Sequence, residues 1–233
     1  MDGHAIDAAA PVLVPLKGIR GSIARNMTAG WQAPRVALGM EVDMRRCQLL
    51  RTRLQERAGP GTRLSITPIV LRALALTLRN HPAMNALMRD GAIEHMPGVH
   101  LNLAVALDEG LAVPVIRDAD TKSIEQLAAE AVALATGARA GKLPPKAYQG
   151  GTFTVSSLGA AGVDWFTPIL NPPQVGILGL ARVADRPVVQ GGKLLIVPMT
   201  TLSLVFDHRA IDGNPAALFL AELKARLESC EGL

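Results

Sequence analysis

The stretch "PVVQGGKLLIVPMTTLSLVFD", residues 187–207, limits the possible folds more than any other part of the chain. Gly191 and Gly192 supply the positive-φ turn of a hairpin, so the pattern predicts two strands meeting there. The second strand is an apolar run that must lie in a buried sheet, and it ends abruptly in Asp207, His208 and Arg209, with Asp212 four residues beyond the histidine. Asn214 as N-cap and Pro215 in the first turn then open a helix, with Leu218, Leu220, Leu223 and Leu227 as its buried stripe.

The rest of the chain fits around such a sheet. Leu16, Ile19, Ile23 and Met27 recur at helical spacing with basic residues on the other face, which predicts a short amphipathic helix. "RVALGMEVD" alternates Val36, Leu38, Met40 and Val42 as a half-buried strand, and a helix from about Asp43 to Glu56 follows. In "TPIVLRALALTLRNHP", Thr67 as N-cap and Pro68 at the first helical position open an almost wholly apolar helix that stops at Asn80 and is expected to be buried. "VHLNLAVAL" and "LAVPVI" read as two strands joined by the turn "DEG", and Ser123 with Gln126 forms a capping box that opens a helix to about Ala138. "TFTVSS" and "QVGILGLARV" add two more strands. The expected class is α/β, a mixed sheet covered by helices.

Composition removes several classes of function. With 233 residues, 49% hydrophobic and 19% charged, the chain can build one compact domain or two small ones. The net charge of +4 is spread without a basic block, and aromatics make up 3%, so neither a nucleic-acid arm nor a base-stacking platform is present. A basic rim that attracts a phosphorylated anion is compatible with that charge. Cys47 and Cys230 stand alone without a CxxC or metal-type spacing, which fits a reducing compartment and assigns both as filler. No run of 18 apolar residues and no secretory leader pattern is found, so a cytoplasmic protein off the membrane is the expectation. Residues 1–14, Ala-rich and bounded by prolines, read as an arm or linker remnant outside the domain at 15–233.

Three chemistries fit the cluster that ends the apolar strand. The first is a salt-bridged turn in which Asp207 or Asp212 pairs with Arg209. The second is a metal site of Asp207, His208 and Asp212, although His4, His81, His95 and His100 are dispersed and add no ligand. The third is general-base catalysis, in which an imidazole of ordinary pKa about 6.5 accepts a proton while the acidic neighbours support the loop. A second strand end, "GGTFTVSSLGAAG", gathers hydroxyls beside glycines, but no GxSxG elbow surrounds its serines.

Taken together, these runs resemble the acyltransferase cores of 2-oxoacid dehydrogenase complexes. "DHRAIDG" is similar to that family's DHRxxDG signature and "GGTFTVSSLG" to its GGxFTxSxLG run, while "GIRGSIARNM", "LAVPVIRDAD" and "FTPILNPPQVGILGL" match in order and spacing over about residues 15–229. The resemblance implies a chloramphenicol-acetyltransferase-like fold, a homotrimer with active sites between subunits, and acyl transfer between a dihydrolipoyl thiol and coenzyme A. It implies His208 as the base, Ser156 as the oxyanion donor from the neighbouring subunit, and Asp212 as the residue that orders the loop, with Arg20 one candidate partner. The lipoyl group would come from a separate lipoyl domain, the other complex components would be partners, and no metal is required.

Some residues depart from the family pattern. Arg35 stands where many members carry a histidine. These 233 residues hold no lipoyl or subunit-binding domain ahead of the core, as expected of an excised core or of a variant served by lipoyl domains in trans. "ESCEGL" lacks the apolar tail that joins trimers into larger shells, so a trimer is expected and a larger core is left open. Two other readings remain at this point. One is a chloramphenicol-type acetyltransferase on a free small molecule, although those enzymes tend to carry HHxxxDG where Asp207 stands here. The other is a non-catalytic core scaffold.

Overall fold

The computed structural model describes residues 13–58, 64–108 and 110–233. The expected N-terminal arm lies outside them apart from Leu13 and Val14, both exposed. Helix α1 (Gly18–Gln32) leads into strand β1 (Arg35–Asp43), helix α2 (Arg45–Ala58) and helix α3 (Thr67–Asn80). Strands β2 (Ala86–Arg89), β3 (Ala92–His95), β4 (Leu101–Leu103), β5 (Val105–Leu107), β6 (Gly110–Ala112) and β7 (Val115–Ile116) precede helix α4 (Ile124–Arg139). Strands β8 (Phe153–Ser157), β9 (Gly176–Leu180), β10 (Ala184–Gln190) and β11 (Lys193–Asp207) are followed by helix α5 (Gly213–Ser229).

The main sheet runs β1, β11, β9, β8, β4, β7, with β10 paired to the first half of β11. Parallel pairing joins β4 to β8 and β8 to β9, and antiparallel pairing joins the other neighbours, so the sheet is mixed as expected. Gly191 and Gly192, at φ 59° and 74°, make the predicted turn between β10 and β11. β11 is the organising strand: its second half lies between β1 and β9, and from Met199 to Asp207 every residue is buried.

One face of this sheet carries Phe153, Val155, Leu178, Leu180, Leu202, Leu204 and Phe206, which join Leu71 and Leu74 of α3 and Phe219, Leu220 and Leu223 of α5 in one apolar core. Each such side chain contributes about 1.5–3 kcal/mol by leaving water. The capping box of α4 is present: Ser123 Oγ accepts from Gln126 N, and Gln126 Oε1 accepts from Ser123 N. No described helix is long and apolar enough to cross a membrane.

Several local expectations need correction. Ile66, not Thr67, holds the N-cap position of α3, and Thr67 begins the helix. Asp212, not Asn214, holds that position in α5, without a side-chain cap bond. Leu218 faces solvent at 58% exposure instead of joining the buried stripe, because Phe219 takes the inward position beside it. The expected hairpin over 99–116 divides in two: β4 and β7 pair in the main sheet, while β5 and β6 form a separate ribbon. Pro114, which has no N–H, and Ala104, whose N–H goes to Val155, interrupt the ladder between them. The Glu109 part of that turn lies outside the described residues. In α1, Ile23 and Met27 are half-buried, Leu16 precedes the helix and is exposed, and the side chain of Ile19 lies outside the described ones.

Candidate active site

His208 leaves the sheet at the end of β11, where its backbone N–H donates to Pro34 O at 2.8 Å. The preceding Asp207 is buried, and its carboxylate accepts from the Arg209 N–H at 3.0 Å and from the Arg209 guanidinium at 2.6 to 3.2 Å. Those bonds hold the guanidinium pKa above its ordinary value. The Asp207 carbonyl also accepts from Ala210 and Ile211, so this residue, through both main chain and side chain, sets the shape of the turn.

The imidazole is left free of that pair. It is 44% exposed, tilts against Phe206 with ring centroids 5.8 Å apart, and has Asp212 Oδ1 at 3.9 Å from Nδ1. The salt-bridged turn and an available imidazole therefore coexist. The metal set weighed as an alternative does not assemble among the described residues, where both Asp207 oxygens are engaged by Arg209. Asp212 is 85% exposed, and among the described residues of one chain its ion partner is His208, not Arg20.

Ser156 occupies a different place. It is half-buried on β8, in register with Gly179 of β9 and, through it, with Ser203 of β11. Its hydroxyl borders a cleft of about 870 Å³ between α1 and the sheet, walled by Ile23, Met27, Leu111, Pro168, Ile169 and Ile177. Gly179 makes room for one wall, since a Cβ there would come within 3.0 Å of the Phe166 ring and 3.3 Å of Pro168. Two strand spacings of about 4.8 Å and five residues of about 3.3 Å rise put Ser156 and His208 of one chain roughly 19 Å apart.

Beneath the cleft lies a polar network absent from the sequence reading. Thr154 Oγ1 donates to Gln174 Oε1 at 2.5 Å and accepts from Asn171 Nδ2 at 3.3 Å. Gln174 Nε2 donates to Asn102 Oδ1 and to Gly151 O, Asn102 Nδ2 donates to Val113 O, and Asn26 Nδ2 of α1 donates to Asn171 Oδ1 at 2.8 Å. A Cβ on Gly151 would overlap the Asn102 carboxamide, which gives that glycine a steric reason. Thr154 stands two residues before Ser156 and so shares its face. That alternation was the available signal; the carboxamides came from loops and other strands.

Arg35 pairs in register with Asp207, beside His208. Its guanidinium carbon lies 3.3 Å over the Trp31 ring and one of its N–H groups donates to Trp31 O at 2.5 Å, a cation–π stack.

The architecture sets His208 at the end of β11 and Ser156 near the end of β8, and comparison with known proteins identifies the family. The sequence profile of the 2-oxoacid dehydrogenases acyltransferase (catalytic domain) matches residues 9–233, and the chain belongs to that family. The dihydrolipoyllysine-residue acetyltransferase component of the acetoin cleaving system of Bacillus subtilis is 42% identical over 218 residues, 92% of this chain and 55% of that protein. The corresponding component of the pyruvate dehydrogenase complex of Staphylococcus aureus is 38% identical over 96% of this chain and 55% of that protein. The chain thus spans about half the length of these curated relatives.

Among solved structures, a probable dihydrolipoamide acetyltransferase from Listeria monocytogenes superposes with a TM-score of 0.91 at 33% identity, covering 97% of this chain and 99% of that one. The Azotobacter vinelandii dihydrolipoamide acetyltransferase, investigated for the role of a serine, a histidine and an asparagine in its catalytic mechanism, gives 0.90 at 36% identity, covering 99% and 98%. Chloramphenicol acetyltransferase, at 15% identity and 0.55, covering 87% of this chain and 94% of that one, shares the fold alone.

Proposed function

We propose that this chain is an acyltransferase domain, residues 15–233, that passes an acetyl group between a dihydrolipoyl thiol and coenzyme A, as a core component of a cytoplasmic 2-oxoacid dehydrogenase complex. Its active unit is a homotrimer, with His208 of one protomer facing Ser156 of the next. A lipoyl domain and the other enzymes of the complex are its partners. The names of the relatives favour acetyl as the acyl group.

The observation that carries this reading is the register: Ser156 lies two strands from β11, level with Ser203 and five residues short of His208, which by ideal strand spacing and rise is roughly 19 Å within one chain. Both groups must approach one tetrahedral carbon to within a few ångströms, so each needs its counterpart from another copy. In the Azotobacter enzyme the named serine, histidine and asparagine are separated by fifty-two and four residues, the intervals that separate Ser156, His208 and Asp212 here.

The chemistry follows from the side chains. A free thiol of pKa about 8.5 is only about 3% thiolate at pH 7, so a base at the sulfur accelerates attack by about 10²–10⁴. The imidazole takes the thiol proton as the sulfur attacks the thioester carbonyl. Asp212 Oδ1 lies 3.9 Å from Nδ1, on the side of the ring away from Nε2, which leaves Nε2 for the substrate thiol. The Ser156 hydroxyl donates to the oxyanion, a contribution of about 3–4 kcal/mol, and collapse of the intermediate expels the other thiolate, which recovers the proton.

Mixing two inactive chains tests the shared site. His208→Ala protomers keep Ser156 and Ser156→Ala protomers keep His208, so randomly mixed trimers rebuild intact sites at about a quarter of their interfaces. Recovery of coenzyme A-dependent transfer to dihydrolipoamide is expected; no recovery in verified mixed trimers would sink the reading.

A further inference from the structure

Helices α2 and α5 bring together two thiols that lie 183 residues apart in the chain. Cys47 is fully buried on α2. Cys230 follows the last residue of α5 in a left-handed conformation, φ 57°, and is half-buried. Their sulfur atoms are 3.5 Å apart, and Cys47 Sγ also donates to Leu227 O at 3.1 Å. Both are free cysteines.

The two thiols differ in reactivity. Contact with Cys230, then burial, pushes the Cys47 pKa up. Contact with Cys47 draws the Cys230 pKa down against the effect of burial, aided by the charge of Arg46. Cys230, half-buried, is the thiol that solvent reaches and so the one placed to attack a small disulfide, with Cys47 directly behind it. A disulfide requires an S–S separation of about 2.05 Å. Closing the gap needs the sulfurs to approach by about 1.5 Å, a side-chain movement at the end of a helix.

We propose that Cys47 and Cys230 form a reversible dithiol–disulfide couple that exchanges with a low-molecular-weight disulfide and covalently braces α5 against α2. The Cys230 thiolate attacks one sulfur of the small disulfide, whose S–S bond breaks and releases one thiolate that takes up a proton. Cys47 then loses its proton and attacks Cys230 Sγ in the mixed disulfide, forming the Cys47–Cys230 bond and expelling the second small thiol. Two protein thiols are oxidised and one small disulfide is reduced to two thiols. The brace acts at the end of α5 far from His208, so its effect is on the stability of the helix layer. A cross-link closing so long a loop removes much of the freedom of the unfolded chain.

The test uses the intact protein with oxidised glutathione, followed by mass spectrometry and non-reducing peptide mapping. The wild type should lose both titratable thiols, yield a Cys47–Cys230 peptide and keep no glutathione adduct; dithiothreitol should reverse all three. The thermal midpoint should be higher oxidised than reduced. Cys47→Ser or Cys47→Ala should instead accumulate glutathione on Cys230, because the resolving thiol is gone, and Cys230→Ser should keep Cys47 as a thiol. Retention of both thiols, a mixed disulfide that persists in the wild type, or an unchanged midpoint after oxidation would overturn the proposal.

Discussion

The two faces of the sheet are built by the same strands and serve opposite purposes. On β8, Phe153 and Val155 point into the apolar core while Thr154 and Ser156 point toward the cleft. On β9 and β11 the same alternation separates Leu178, Leu202 and Leu204 from Gly179 and Ser203. The helix-covered face is held by area removed from water, which is insensitive to the orientation of any one group. The cleft face buries carboxamides and a hydroxyl, so it depends on directional bonds such as Thr154 to Gln174. The difference teaches that rigidity and chemistry are divided by side-chain parity, one residue apart, and not by domain.

Three substitutions sharpen or break that contrast. The largest effect belongs to the strand end: His208→Ala should lower acyl transfer by about 10²–10⁴ with little change in melting temperature. A rate and a melt measured on the same preparation check this, and wild-type activity in the variant ends the assignment. Leu204→Ala, on the helix-covered face, should cost about 2–5 kcal/mol by opening a cavity, read from denaturant midpoints. A cost under about 1 kcal/mol would mean that this face collapses as a surface would. Thr154→Val should cost about 1–3 kcal/mol, because Gln174 loses a donor and Asn171 an acceptor. It should also slow transfer by disturbing the strand beneath Ser156. Equal stability with unchanged rate would show the network to be dispensable.

Much of the framework was legible because its causes are local. The alternation in "RVALGMEVD" predicted β1, which spans Arg35–Asp43. Ser123 with Gln126 predicted the start of α4, and the paired glycines predicted the turn before β11. Caps were less secure: Asp212 and Ile66 displaced Asn214 and Thr67, since an N-cap is defined by where the chain turns into the helix and neighbouring residues compete for it. The cluster of Asp207, His208 and Arg209 was readable as a candidate site. Which carboxylate Arg209 would take was not, because Asp207 and Asp212 are both within its reach and only burial selected Asp207.

The sequence by itself determined the α/β class, most of the element positions and the residue types available for proton transfer, because periodicity, turn chemistry and motif spacing act over a few residues. Tertiary structure alone decided how far Ser156 lies from His208, set by strand order and register. It also decided the carboxamide network under the cleft and the meeting of Cys47 with Cys230 across 183 residues. Such contacts arise only when the whole sheet closes and its helices pack, and nothing in the local composition of either partner encodes the other.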